Sequence, residues 1–269
     1  MKLFITRALA FLIFVISLVA NEKSSLGDLV GYQAIYKMKL DKASTKSRFS
    51  AVQGSALSVL ERNCGGWRAK EEMVIDFHTK IGGIIRRDLK FEAWEALDGL
   101  SYEFSSFAET NGVVEKYKGS ASKYPDKPGE AVYQGATSRS FKLPVDTVFY
   151  TGLVKWLLVV AESGAQHGEK WVFDGIDDEG PEKVVAFILD AGNQKNQDLH
   201  PEFGNITSGR RWTVQLAFYK PGFSEGLPEY EMEIGMVENG ILTGFRIHFD
   251  DFTVLQTLED VSIVDAKAC

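Results

Sequence analysis

Glu229-Tyr230-Glu231-Met232-Glu233-Ile234-Gly235-Met236 alternates between two kinds of residue, with Tyr230, Met232, Ile234 and Met236 on one side and Glu229, Glu231, Glu233 and Gly235 on the other. A period of two puts these groups on opposite faces of a β-strand, one buried and one wet. Glu238-Asn239-Gly240 follows, and Asn-Gly accepts the positive φ angles of a type I′ hairpin turn. In the return strand Phe245, Ile247 and Phe249 alternate with Arg246, His248 and Asp250, and after the Asp250-Asp251 corner a further β-rich run reaches about residue 264. Three consecutive antiparallel strands are expected here.

The same alternation appears upstream, where Trp212, Val214, Leu216 and Phe218 interleave with Thr213, Gln215, Ala217 and Tyr219. Further strands are expected over 31–40, 49–60, 66–78, 84–96, 100–109, 112–118, 130–135, 169–174 and 183–190, joined by turns such as Asp98-Gly99, Asn111-Gly112 and Asp174-Gly175. No repeat and no Pro/Gly/Ser linker divides them. The chain therefore reads as all-β, a single curved antiparallel sheet of about 12–14 strands, since so many strands in one open sheet must curl or close to bury a face.

One segment breaks the pattern. Between Pro144 and Gly164, Leu153, Trp156, Leu157 and Val160 share a helical face, Val154, Leu158 and Val159 lie around the rest, and Lys155 and Glu162 are the charges. A helix apolar nearly all round must be enveloped by protein, and it is too short to span a membrane. It is expected to pack in the concave interior of the sheet. Leu153, Trp156, Leu157 and Val160 are then the candidate lining of a groove for an acyl chain or apolar peptide, a kind of site that leaves almost no polar signature. The simpler expectation is that the helix fills the groove as core.

The ends of the chain point to export. Lys2 and Arg7 precede an apolar run from Ala8 to Val19, the build of a secretory signal peptide over residues 1–20 cleaved near Ala20, with an uncleaved anchor as the alternative. The formal net charge of −7 becomes −9 when Lys2 and Arg7 are removed. Arg86-Arg87 and Arg210-Arg211 are only short basic pairs, so nucleic acid is not an expected partner. With hydrophobic residues at 45% and charged residues at 25%, residues 21–269 are expected to fold as one β-domain. Two cysteines remain, Cys64 and the final Cys269, and in an oxidising compartment they read as a disulfide closing that domain; two free thiols are the alternative.

No Gly-x-Ser-x-Gly elbow, His-Glu-x-x-His helix or phosphate-binding loop is present, so no catalytic residue, metal or cofactor is expected. His78, His167, His200 and His248 have no ligand spacing, and His248 is expected to be solvated on the polar face of its strand. Asp174, Asp177, Asp178 and Glu179 invite a calcium reading, but lack the spacing of a calcium-binding loop and read more simply as a solvated hairpin tip.

Leu143-Pro144-Val145-Asp146-Thr147-Val148-Phe149 before the helix, Val172-Phe173-Asp174-Gly175 after it, Arg211-Trp212 through Phe218-Tyr219, Tyr230-Glu231-Met232, the Glu238-Asn239-Gly240 turn and the Cys64/Cys269 pair stand in an order that resembles the envelope integrity protein B family of periplasmic proteins. The resemblance covers nearly the whole exported chain. It implies a spiral of antiparallel strands forming an incompletely closed barrel, an interior helix, a disulfide from the N-terminal region to the C-terminus and a non-enzymatic role in cell-envelope integrity. Asp146 and Tyr150 depart from the pattern, where relatives carry Gly and Pro. Two modes of action follow: interaction with a periplasmic or outer-membrane envelope protein, which predicts a filled core and an exposed edge or apolar patch, and carriage of lipid or lipoprotein, which predicts an open apolar groove.

Overall fold

The computed structural model describes residues 29–135, 139–191, 201–220 and 226–266; segment 1–20, read from the sequence as a signal peptide, and Cys269 lie outside the described residues. Period-two burial governs the strands. In β1 (Tyr32–Ala43), Tyr32, Ala34, Tyr36 and Met38 are buried while Gln33, Ile35, Lys37 and Lys39 are exposed. Four long strands follow as a meander, β2 (Phe49–Arg62), β3 (Gly66–Thr79), β4 (Ile84–Ala96) and β5 (Ser101–Thr110), then β6 (Val113–Tyr124), β7 (Lys127–Tyr133) and β8 (Arg139–Leu143). After the helix α1 (Tyr150–Glu162) come β9 (His167–Val172), β10 (Glu182–Ala191), β11 (Arg211–Tyr219), β12 (Tyr230–Val237), β13 (Leu242–His248) and β14 (Phe252–Ile263).

All fourteen strands form one sheet in the order β8-β7-β6-β5-β4-β3-β2-β1-β14-β13-β12-β11-β10-β9. Each neighbouring pair is antiparallel. The first and last strands pair at its centre, with Tyr32 opposite Ile263 on one side and Leu60 on the other. The sheet is not closed by hydrogen bonds: β8 and β9 are its two edges. The chain passes from one edge to the other through α1, and on the way Val148 makes a single parallel bridge to Val172. The strand β8 is additional to those expected from the sequence, because five residues carry only Phe141 and Leu143 as alternation.

Asn239-Gly240 makes a hairpin, but not the type I′ turn expected of it. Gly240 has φ +86° and Asn239 is not in the left-handed region. The Gly240 N–H donates to the Val237 carbonyl at 2.8 Å and the Val237 N–H to the Ile241 carbonyl at 2.9 Å. That is a type I turn followed by a glycine bulge. Two positive φ angles in succession occur instead at Asn111 (49°) and Gly112 (84°), between β5 and β6.

The helix lies inside the curl. Thr151, Val154, Leu157, Leu158, Val160 and Ala161 are buried, and Val159 is the exposed apolar residue of its outer side. The two departures at its entrance have local reasons. Asp146 takes φ +69°, which glycine adopts freely and aspartate tolerates. Tyr150 is the first helical residue, where proline's missing N–H costs nothing and tyrosine contributes a side chain instead.

Apolar side chains form two cores. The larger surrounds α1 with the inner faces of β1–β3 and β10–β14. The smaller fills the curl of β4–β8, where Phe149 and Phe173 meet Tyr102, Phe104 and Tyr133. Phe149 stacks on Tyr102 with ring centroids 4.7 Å apart and planes inclined by 7°.

Candidate functional site

Charged residues on β3 and β4 point into the sheet in phase with apolar neighbours, and they organise the interior. On β4 the inward positions are Ile85, Arg87, Leu89, Phe91, Ala93 and Glu95; on β3 Glu71 lies in phase with Ala69 and Met73. Glu95 is buried and caps the helix from outside it: its carboxylate accepts from the Thr151 N–H at 2.7 Å and the Gly152 N–H at 3.4 Å. Phe149, the residue preceding the helix, offers no side-chain cap, so this strand carboxylate satisfies amides that the helix leaves free and meets the positive end of its dipole. Beside it the Lys123 ammonium donates to the Thr147 carbonyl at 2.6 Å and lies over the Phe149 ring; burial pulls its pKa down.

With α1 fixed at this angle, the concave space is not filled. A cavity of about 440 Å³ separates the helix from the inner faces of β1–β4 and β11–β14. Its walls include Met38, Ala56, Leu153, Leu157, Phe245 and Ile247. A volume of about 300–1,000 Å³ is typical of sites that enclose a small ligand. The helix, held at its N-terminus by Glu95, leaves this space open, where the simpler expectation was that it fills the groove as core.

The strand walls are largely apolar, interrupted by Glu71, Tyr150, Thr151 and Gln256, and acidic residues gather at the end next to β9 and β10. The Glu71 carboxylate accepts from the Tyr150 hydroxyl at 2.5 Å and the Ser58 hydroxyl at 2.8 Å. Burial pushes its pKa up, and these two bonds oppose the rise. The Tyr150 phenol is held well above its ordinary pKa, by burial first and by the Glu71 charge second. The Thr151 hydroxyl is buried without a hydrogen-bond partner among the described residues.

Adjoining this cavity is a second of about 430 Å³, at the rim formed by the β1–β2, β3–β4 and β13–β14 turns. Met38, Met73 and Ile247 line both, so these side chains stand between the two spaces. The outer cavity is walled by Phe49, Phe77, Phe249 and Phe252, with Arg48 and Arg87 as its charged residues. Across the inner cavity, the loop between β9 and β10 supplies Asp174, Asp177 and Glu179, and β10 begins with Glu182.

That loop is only in part the solvated hairpin tip expected of it: Asp177 and Glu179 are exposed, while the backbone of the loop is seated on the sheet. The Tyr102, Ser106 and Tyr133 hydroxyls donate to the carbonyls of Asp174, Ile176 and Asp177 at 2.9, 2.8 and 2.6 Å, seating the loop on β5 and β7. Gly175 is required there, since at φ +73° a Cβ would lie 2.4 Å from the Phe104 ring. Asp178 pairs with Arg139, and Glu179 with Lys220. Burial, helped by Asp177, pushes Asp174 up to about 6. Burial and the surrounding carboxylates push Glu182 up to about 8.

Of the four residues singled out on the helix, Leu153 and Leu157 line the inner cavity. Trp156 and Val160 face β9 instead, where a Cβ on Gly168 would lie 3.1 Å from each. Cys64 is exposed in the β2–β3 turn, and no cysteine among the described residues is free. His248 is not simply solvated: it is half-buried on the outer face, its Nε2 3.2 Å from Glu233 and its Nδ1 3.3 Å from the Thr253 hydroxyl. Glu71, Arg87 and Glu95 were missed by sequence reasoning. The available signal was a charge in phase with the apolar side of a strand, where burial demands a partner.

The family model described as EipB-like matches residues 23–265. Cell envelope integrity protein EipB of Brucella abortus (strain 2308) is 25% identical over 255 residues, spanning 91% of this chain and 88% of the relative. Among solved structures, the beta-barrel-like protein of domain of unknown function DUF1849 from Brucella abortus superposes with a TM-score of 0.81 at 21% identity, covering 89% of this chain and all of that one.

Proposed function

The chain belongs to the EipB-like family, and from that premise we propose that it is a non-enzymatic periplasmic protein supporting cell-envelope integrity, which binds the apolar chain of an envelope lipid or lipoprotein in its concave channel. The observation that carries this reading is the cavity of about 440 Å³ between the helix and the sheet. The helix and strand walls of that space are largely apolar, and apolar surface left unpacked is costly. Alkyl chains match its walls. The inner faces of paired strands offer no free backbone groups to an extended peptide, because the ladder already uses them.

N-phenyl-1-naphthylamine, a neutral apolar dye that fluoresces when desolvated, is expected to be taken up by the wild-type protein. Ala56→Phe, which places a ring in the inner cavity, is expected to weaken uptake roughly tenfold or more. Absence of uptake by the wild type overturns the reading.

A second reading, docking of an unidentified periplasmic or outer-membrane envelope protein, is favoured by the rim. Ile81, Ile84 and Val113 are 96%, 55% and 68% exposed on turns next to the outer cavity. Exposed apolar residues grouped at a channel mouth suit a partner that delivers or receives the cargo.

We further infer that Cys64 pairs with Cys269. The register sets Leu60 and Ile263 both opposite Tyr32, so β2 and β14 run parallel with one strand between them. They are separated by roughly 10 Å. Residues 264–269 have a reach of roughly 20 Å, enough to cross to the β2–β3 turn.

A further inference from the structure

Arg87 is an inward-facing, half-buried arginine on β4 that lines the outer cavity with Ile75, Phe77 and Ile85, with no ion-pair partner among the described residues. Its neighbour Arg86, on the outer face, pairs with both Asp76 and Asp88. A guanidinium turned into an apolar cavity without a carboxylate is costly unless an anion joins it. Directly across the strand pair from Arg87 is Thr110, whose hydroxyl is buried and unpartnered. At the rim of the same cavity Arg48 lies over the Phe49 ring, 4.8 Å from its centroid. These three are the polar residues lining the outer cavity, all of them donors; every other lining residue is apolar.

We propose that Arg87, with Thr110 and Arg48, is the head-group site of the channel, and that its occupant is a single-chain anionic lipid. The carboxylate or phosphate sits on Arg87, and the alkyl chain passes between Met38 and Met73 into the inner cavity beside α1. This deepens the channel reading above and rests on it. The cationic donors lie in the outer cavity alone and orient the ligand head-out, since the lining of the inner cavity carries carboxyl groups and no cation. The two methionines at the junction are unbranched and adaptable, so the passage adjusts to the chain.

Displacement of the bound dye by dodecanoate and by 1-dodecanol, in the wild type and in Arg87→Gln, separates the two levels of the argument. Dodecanoate is expected to displace the dye roughly tenfold or more less effectively from Arg87→Gln, as expected for loss of a charge-assisted hydrogen bond, while dodecanol competes equally with both proteins. Equal competition by dodecanoate in the two proteins overturns the head-group site and leaves the apolar channel standing. Failure of the wild type to take up the dye overturns both. If Arg87→Gln does not fold, the wild type carries the test: added salt must weaken dodecanoate and not dodecanol. A salt-independent dodecanoate affinity overturns the proposal.

Discussion

Cys64→Ser is expected to lower the unfolding free energy by about 2–5 kcal/mol and the melting temperature by roughly 5–15 °C. The two cysteines are 205 positions apart. Closing so long a loop restricts the unfolded chain by roughly 5 kcal/mol on the loop-entropy model, and strain in the folded state takes part of that gain back. The sheet concentrates the effect at its centre. Because β1 pairs with both β2 and β14, the proposed bond would clamp the two meanders where the first and last strands meet. Thermal melts with and without reductant check this: the wild type in reductant should match Cys64→Ser in either buffer. A wild-type melting temperature indifferent to reductant removes the disulfide from the account.

Glu182→Gln is expected to stabilise the protein at about pH 8.5 by roughly 2 kcal/mol, raising its melting temperature by roughly 4–8 °C, and to change little at about pH 5. Burial and the carboxylates of Asp174, Asp177 and Glu229 push Glu182 from 4.5 up to about 8. The folded state therefore keeps a proton that the unfolded state has released. Stability from this group is fully present below pH 4.5, falls as the pH rises and is lost once the pH passes about 8. Asp174, raised from 3.8 to about 6, adds a loss of the same sign over its own lower window. Lys220 offsets part of the repulsion by bridging Glu179 and Glu229, and solvent screens the half-buried carboxyl, so the gain stays below what the full shift would give. Melts across that range check it. Parallel pH profiles in the variant and the wild type contradict the assignment.

The strands and the helix were legible because burial on one face writes itself as a period of two, and burial all round as an uninterrupted apolar helix. Tyr32, Ala34, Tyr36 and Met38 show the first, and the segment from Thr151 to Ala161 the second. Strand order was less open to reading. That β1 joins β14 rather than ending the sheet depends on which edges meet after the chain has curled, and no residue in either strand encodes it locally. The turn at Asn239-Gly240 shows the same limit, since its dipeptide fits two turn types and the bulge that selects one arises from the register of β12 against β13.

The candidate site divides along the same line. Leu153 and Leu157 were found because a helical face can be read from spacing; Trp156 and Val160 share the face but meet β9, since its Gly168 lets the helix approach. The cavity itself is a small difference between the large volumes of sheet and helix, and composition does not report such differences. Glu71, Arg87 and Glu95 were visible in principle. Each breaks an apolar run on the inward side of its strand, and each proves to contact or frame the helix and channel.

The account stands most directly on what the channel holds. Native mass spectrometry of the non-reduced protein, purified from a bacterial periplasm and followed by organic extraction, is expected to show a one-to-one adduct that extracts as a single-chain anionic lipid. A bare polypeptide mass, unchanged after incubation with dodecanoate, would contradict it.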